Sequence, residues 1–241
     1  MAGKGPLVSV VLPFRNQEDH IGGVLESWIP ALESTGRSFE IVAVPNACTD
    51  ATADTARKTA IRHPEIQVVE NPQGGWGRSV LAGLRSARGE ILCYANSART
   101  NPAVISPLLD LYLANAPCLA KVARVKRGAP LREAGSALFN LEARLFFGVK
   151  TADVNGTPKM FPRTLFECLR LESEGDLLDL ELMSLIVRMG MQVVEHPVEG
   201  FSRHGGISST NWKTALRMFR DSRALYLALN DPRRPGVPAR E

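Results

Sequence analysis

The chain has 241 residues, 44% hydrophobic and 22% charged, enough to bury a sizeable core in a single α/β domain. No window approaches the roughly 18–20 continuous apolar residues that span a bilayer, and the opening MAGKGPLVSVVLP lacks the region order of a secretory signal, so a soluble, cytoplasmic protein is expected. The net charge of +4 suits a phosphate substrate or an anionic membrane surface better than nucleic acid, because no basic stripe with interleaved aromatics occurs.

Residues 7–13, LVSVVLP, form an apolar β-branched run that reads as a buried parallel strand. After the loop FRNQEDH, apolar residues from Ile21 to Leu32 recur at helical spacing. FEIVAV at 39–44 gives a second strand, and CTDATADTARKTAIRH a second helix with Thr49 or Asp50 as its N-cap. Residues 66–69 form a third strand, the glycine-rich NPQGGWGRS leads into a third helix, and Gly89 stops that helix before a fourth strand at 90–94. This alternation predicts a mostly parallel sheet with right-handed crossovers and helices on both faces. Ligands of such sheets bind at the carboxyl ends of the strands, which directs attention to the loops after Leu12, Val44, Val69 and Tyr94.

Beyond these, residues 117–127 read as a strand, followed by a loop through Gly135 and a helix over 136–148. DVNGTPKMFPR is too rich in glycine and proline for regular structure. Residues 177–189 read as an apolar helix and MQVVEHPVEG as a strand. NWKTALRMFRDSRALYLAL is an amphipathic helix carrying Arg217, Arg220 and Arg223. Its basic face either lies on a membrane surface or is solvated while the helix packs on the domain. One domain over 1–230 with a disordered tail over 231–241 is expected. Cys48, Cys93, Cys118 and Cys168 form no C-x-x-C pair, which argues for reduced thiols rather than disulfides or zinc.

The loop order carries a resemblance. LVSVVLPFRNQED resembles the opening strand and P-x-Y-N-E-E loop of the family 2 glycosyltransferases of the GT-A fold. FEIVAVPNACTDAT resembles that family's second strand and turn, and NPQGGWGRSVLAGLRSARGEIL its N-x-G-x-G-x-A pattern. DVNGTPKMFPR and DLELMSLIVRMGMQVVEHPVEGFSRHGGISS are similar to one subgroup, the polyprenyl- or dolichyl-phosphate sugar transferases. The resemblance implies a GT-A-type sheet and inverting transfer from a nucleoside-diphosphate sugar, the acceptor being a lipid-linked phosphate or a small-molecule hydroxyl. Peripheral contact with the inner face of the membrane, in the first of the two readings of the basic C-terminal helix, would bring the protein to such a lipid-linked acceptor.

Residue by residue, the resemblance implies donor contacts from Pro13, Arg15, Asn16 and Gln17 after the first strand, and from Asn46 and Asp50 after the second. Gly75, Gly77 and Arg78 would approach the diphosphate, as would Asn96, Ser97 and Arg99. Asp153, Asp179 and Glu181 are the candidate catalytic carboxylates. Asp179 and Glu181, two apart on one helix, point to different faces. Lys159, Arg203 and Ser208 are candidates for the acceptor phosphate.

The family's D-x-D aspartates, which coordinate Mg²⁺ or Mn²⁺, are replaced by Ala95 and Ser97. Alanine offers no ligand atom and serine a neutral, weak one. The expected enzyme needs no metal cofactor, and Arg99 takes over the charge of the leaving diphosphate. The competing reading is a degenerate relative that binds sugar nucleotide without transferring it. A nucleotidyltransferase is disfavoured because FRNQED lacks a G-x-G-T-R loop.

Overall fold

A computed structural model describes residues 7–126, 130–199 and 212–231. The strand β1 (Val8–Phe14) is wholly buried, as expected of a parallel strand covered on both faces. It pairs in parallel with β2 (Phe39–Pro45) on one side and β4 (Ile91–Tyr94) on the other, and β3 (Ile66–Val68) pairs in parallel with β2. The crossovers are α1 (Ile21–Glu33), α2 (Thr52–Arg62) and α3 (Trp76–Ser86).

The remaining strands are β5 (Leu119–Lys126), β6 (Lys159–Pro162) and β7 (Val193–Glu199). They complete a seven-stranded sheet of order β3-β2-β1-β4-β6-β5-β7. β6 runs antiparallel to both neighbours, whereas β5 and β7 are parallel. The helices are α4 (Ile105–Asn115), α5 (Pro130–Phe147), α6 (Arg163–Cys168), α7 (Leu178–Arg188) and α8 (Trp212–Leu229). One core cluster packs α1 and α4 on one face through Leu25, Trp28 and Leu108; the other packs α3, α7 and α8 on the opposite face through Leu84, Leu182 and Leu225.

Two expectations are corrected. The segment through Gly135 is helical, because α5 begins at Pro130, and a proline fits the first helical position, where its missing N–H has no intrahelical acceptor. DVNGTPKMFPR is not wholly irregular: KMFP is β6, and α6 starts directly after Pro162. A four-residue strand that follows one proline and ends in another leaves no periodic signature in sequence. Residues 232–241, most of the expected tail, lie outside the described residues, as do Arg203 and Ser208.

Candidate active site

The loops at the carboxyl ends of β1, β2 and β4 are stitched together by their own side chains. Asn16, held at a positive φ of 50°, exchanges two hydrogen bonds with Thr49: its Nδ2 donates to Thr49 Oγ1 at 3.1 Å, and its Oδ1 accepts from Thr49 N–H at 3.0 Å. Glu18 accepts the Ala51 N–H at 2.8 Å, and Gln17 N–H donates to Thr52 Oγ1 at 2.7 Å. Asp50 accepts from the Thr52 N–H at 3.1 Å and from the Thr52 hydroxyl, but the N-cap position of α2 is Ala51, so neither Thr49 nor Asp50 is the cap expected from sequence. Burial opposes its ionisation, but these hydrogen bonds outweigh that effect and hold its carboxyl below the usual range. Arg15 stays exposed at the mouth of this edge.

After β4, Ala95 is fully buried and Ser97 Oγ donates to the Pro13 carbonyl at 2.9 Å. Gln17 Nε2 approaches the same hydroxyl at 3.5 Å, while its Oε1 is buried without a protein partner. Asn96 turns its Oδ1 back to the Ala98 N–H at 3.1 Å. A methyl, an amide oxygen folded into its own turn and a hydroxyl committed to a carbonyl do not fit a hard divalent cation. Among the described residues there is no cluster of three His, Cys, Asp or Glu side chains able to hold a metal. Arg99 lies two residues beyond Ser97, partly exposed.

The glycines of GGWG serve a close approach of another kind. A Cβ on Gly77 would lie 2.1 Å from the Ser173 carbonyl oxygen, and one on Gly75, at φ 106°, would lie 2.6 Å from that of Glu174. The chain's own segment 173–175 therefore occupies this space. Gly77 N–H donates to the Gly175 carbonyl at 3.1 Å and Arg78 N–H to the Glu174 carbonyl at 2.9 Å, while the Arg78 guanidinium pairs with the Glu174 carboxylate. Asn46 and Asn71 bridge backbone to backbone beside Gly74.

A polar row crosses the sheet at this edge. Tyr94 on β4 faces Lys159 on β6, Lys159 faces Lys121 on β5, and Lys121 faces Glu195 on β7. Both lysines are fully buried. Asp179 of α7 receives the Tyr94 hydroxyl at 2.7 Å, the Trp76 indole N–H at 3.2 Å and the Lys159 ammonium. Lys121 pairs with Glu195 at 3.0 Å and reaches Thr151. Burial, reinforced by the Lys159 cation, pushes Lys121 down to about 8 against the opposing pull of Glu195 and Asp153. Burial and the adjacent Asp179 push the Tyr94 hydroxyl far up.

The other two candidate carboxylates are also engaged. Asp153 is gripped by Arg124, with contacts of 2.6 and 2.9 Å. Glu181, fully buried, accepts the N–H groups of Glu172 and Ser173, the closest at 2.7 Å, and so anchors the segment that packs on α3. As their spacing required, Asp179 and Glu181 serve different neighbours. Sequence reasoning missed Tyr94, Lys121, Arg124 and Glu195. Lys121 left one trace, a lysine inside the otherwise apolar run LAKVA.

The profile described as "Glycosyl transferase family 2" matches residues 9–170. Among curated proteins, the undecaprenyl-phosphate 4-deoxy-4-formamido-L-arabinose transferase of Pseudomonas paraeruginosa is 27% identical over 166 residues, covering 68% of this chain and 49% of that protein. Its namesake from Edwardsiella ictaluri is 30% identical over 97 residues, 39% of this chain and 30% of that protein. The chain thus spans half or less of the length of these relatives. Among solved structures, glucosyl-3-phosphoglycerate synthase from Mycobacterium tuberculosis, in complex with Mn²⁺, uridine-diphosphate-glucose and phosphoglyceric acid, superposes with TM-score 0.72 at 21% identity over 92% of this chain and 79% of that one. Mannosyl-3-phosphoglycerate synthase from Rubrobacter xylanophilus gives 0.72 at 22% identity, over 97% of this chain and 79% of that one. At such identities the likeness concerns the fold, which is the GT-A type expected.

Proposed function

Because the chain belongs to glycosyl transferase family 2, we propose that it transfers a sugar from a nucleoside-diphosphate sugar to an anionic phosphate acceptor of the lipid-linked kind, without a D-x-D metal. One observation carries the choice of acceptor. Asp153, Asp179 and Glu181 are each taken up by the protein's own donors, in an Arg124 pair, in the Lys159–Tyr94–Trp76 cluster and in two backbone N–H bonds. A hydroxyl acceptor needs a general base with a free oxygen in reach, whereas a phosphate is already a nucleophile. The undecaprenyl-phosphate acceptor in the relatives' name points the same way.

In this reading a phosphate oxygen of the acceptor attacks the anomeric carbon as its bond to the donor diphosphate breaks. The electron pair leaves on the nucleoside diphosphate, and the configuration inverts. The donor lies over the loops of Pro13, Arg15, Asn16, Gln17, Asn46 and Asp50. Arg99 meets the charge of the departing diphosphate, with Arg78 in support once it leaves Glu174. The acceptor phosphate is assigned to Lys159, which stays paired with Asp179, and to Arg203 and Ser208.

The test is a transfer assay that offers a polyprenyl phosphate and the corresponding unphosphorylated alcohol, each with EDTA and with Mn²⁺. Product from the phosphate alone, undiminished by EDTA, is expected. Transfer to the alcohol would refute the acceptor class, and a strict Mn²⁺ requirement would refute the role given to Arg99. Donor binding without transfer to any acceptor would favour a binding-only protein. A thermal-shift screen across nucleoside diphosphates names the base.

A further inference from the structure

α5 and α8 pack side by side in parallel, through the edge-on ring pairs Phe139–Phe219 and Phe147–Tyr226 and the Ser222–Glu142 hydrogen bond. Phe139, Ala143 and Phe147 turn inward to the core. The outward face of α5 is apolar as well: Leu138, Leu141 and Leu145, at i, i+3 and i+7, are 55%, 50% and 64% exposed. Leu227 of α8 and Val125 at the end of β5 are exposed too. A surface helix ordinarily turns charge to this side.

The charges beside the stripe are mainly basic. Arg220 and Arg223 of α8 are exposed, Arg220 sharing its neighbour Asp221 at 2.9 Å. Glu142 is turned toward Ser222, and burial raises its carboxyl above the usual range. Asn140, on the flank of α5 and outside the leucine stripe, fixes the 152–154 loop against the helix: its Nδ2 donates to the Ala152 carbonyl at 2.7 Å and its Oδ1 accepts the Val154 N–H at 3.1 Å. That loop carries Asp153, whose partner Arg124 directly precedes Val125.

We infer that the outer face of α5, rimmed by Arg220 and Arg223, is the surface by which the protein seats on an anionic lipid bilayer. Leucines enter the boundary between headgroups and acyl chains, and arginines meet anionic headgroups. This deepens the lipid-phosphate reading above and rests on it for its purpose. A second copy is a poorer occupant, because a self-complementary contact over so small a patch would crowd the arginines of both copies around its rim.

The test is sedimentation of the full chain with vesicles of phosphatidylcholine, alone or with about one third phosphatidylglycerol. The wild type is expected to pellet with the anionic vesicles and far less with the neutral ones. The triple variant L138Q/L141Q/L145Q should lose about tenfold or more in partition. R220Q/R223Q, which leaves the apolar stripe intact, should lose about tenfold on anionic vesicles only. These side chains are at the surface, and melting curves verify that the variants fold. A wild type that stays in the supernatant, or a triple variant that partitions like the wild type, overturns the proposal. So does light scattering that finds a dimer broken by the triple variant with no vesicle binding in either protein. The vesicles hold neither donor nor acceptor, so sedimentation is read independently of the transfer assay above: vesicle binding together with no product in that assay would refute the transferase reading and leave this surface standing.

Discussion

Ser97 and Ala95 are rebuilt positions rather than vacancies. The Ser97 hydroxyl donates to the Pro13 carbonyl, and Ala95 is sealed in the core beside Cys93 and Ile105. Aspartate at 97 would face that carbonyl oxygen with another acceptor, and aspartate at 95 would bury a carboxylate among apolar side chains. The double variant A95D/S97D is therefore expected to lose about 2–5 kcal/mol in urea unfolding and to gain no Mn²⁺ affinity by calorimetry. Micromolar Mn²⁺ binding with unchanged stability would show that the site had only lost its ligands. Lys159 gives a second residue-scale prediction, since both it and Asp179 are buried. Lys159→Met leaves the carboxylate without its cation and should lower stability by about 3–5 kcal/mol. Adding Asp179→Asn should recover part of that loss, and a strictly additive double mutant would deny the coupling.

Among the elements, the junction of α3 with the 173–175 segment is the tightest near the site. Gly77→Ala drives a methyl into the Ser173 carbonyl and should cost about 1–3 kcal/mol in chemical unfolding. Gly23→Ala, in α1 with nothing within 4 Å of the added carbon, should stabilise by up to about 1 kcal/mol. Equal effects at the two glycines would refute the contact argument. GGWG was legible as a glycine-requiring turn, but what fills its space comes from a segment nearly a hundred residues away, which no local pattern encodes. The same contrast runs through the chain. β1, β2 and β4 announce themselves because parallel strands covered on both faces read as continuous apolar runs. β6 is invisible because its four residues are fixed by neighbours on both sides, and its one charge is hidden by Asp179 from α7. The candidate carboxylates were found by resemblance. Their partners Arg124, Tyr94 and Trp76 were not, since pairing across strands and helices is a property of the assembled fold.

At the scale of the whole molecule, the Tyr94–Lys159–Lys121–Glu195 row joins the parallel half of the sheet to the mixed half, so its protonation acts on global stability. Lysines directly opposed on adjacent strands repel. Burial and that neighbour hold Lys121 down to about 8, against an ordinary 10.5. Between these values the unfolded chain binds the Lys121 proton more fully than the folded one, so stability must rise with pH across the window. Below pH 8 both states carry the proton and the penalty of a buried cation is constant; above about 10.5 neither does and the penalty is gone. Lys121→Met removes this titration. Urea unfolding of the wild type minus that of Lys121→Met, followed from pH 7 to 10, should therefore climb with a positive slope beginning near 8. A difference that is flat through that window, or that falls, would mean that Lys121 keeps an ordinary affinity for its proton. The row would then be a set of separate ion pairs, and the two halves of the sheet would not share a titration.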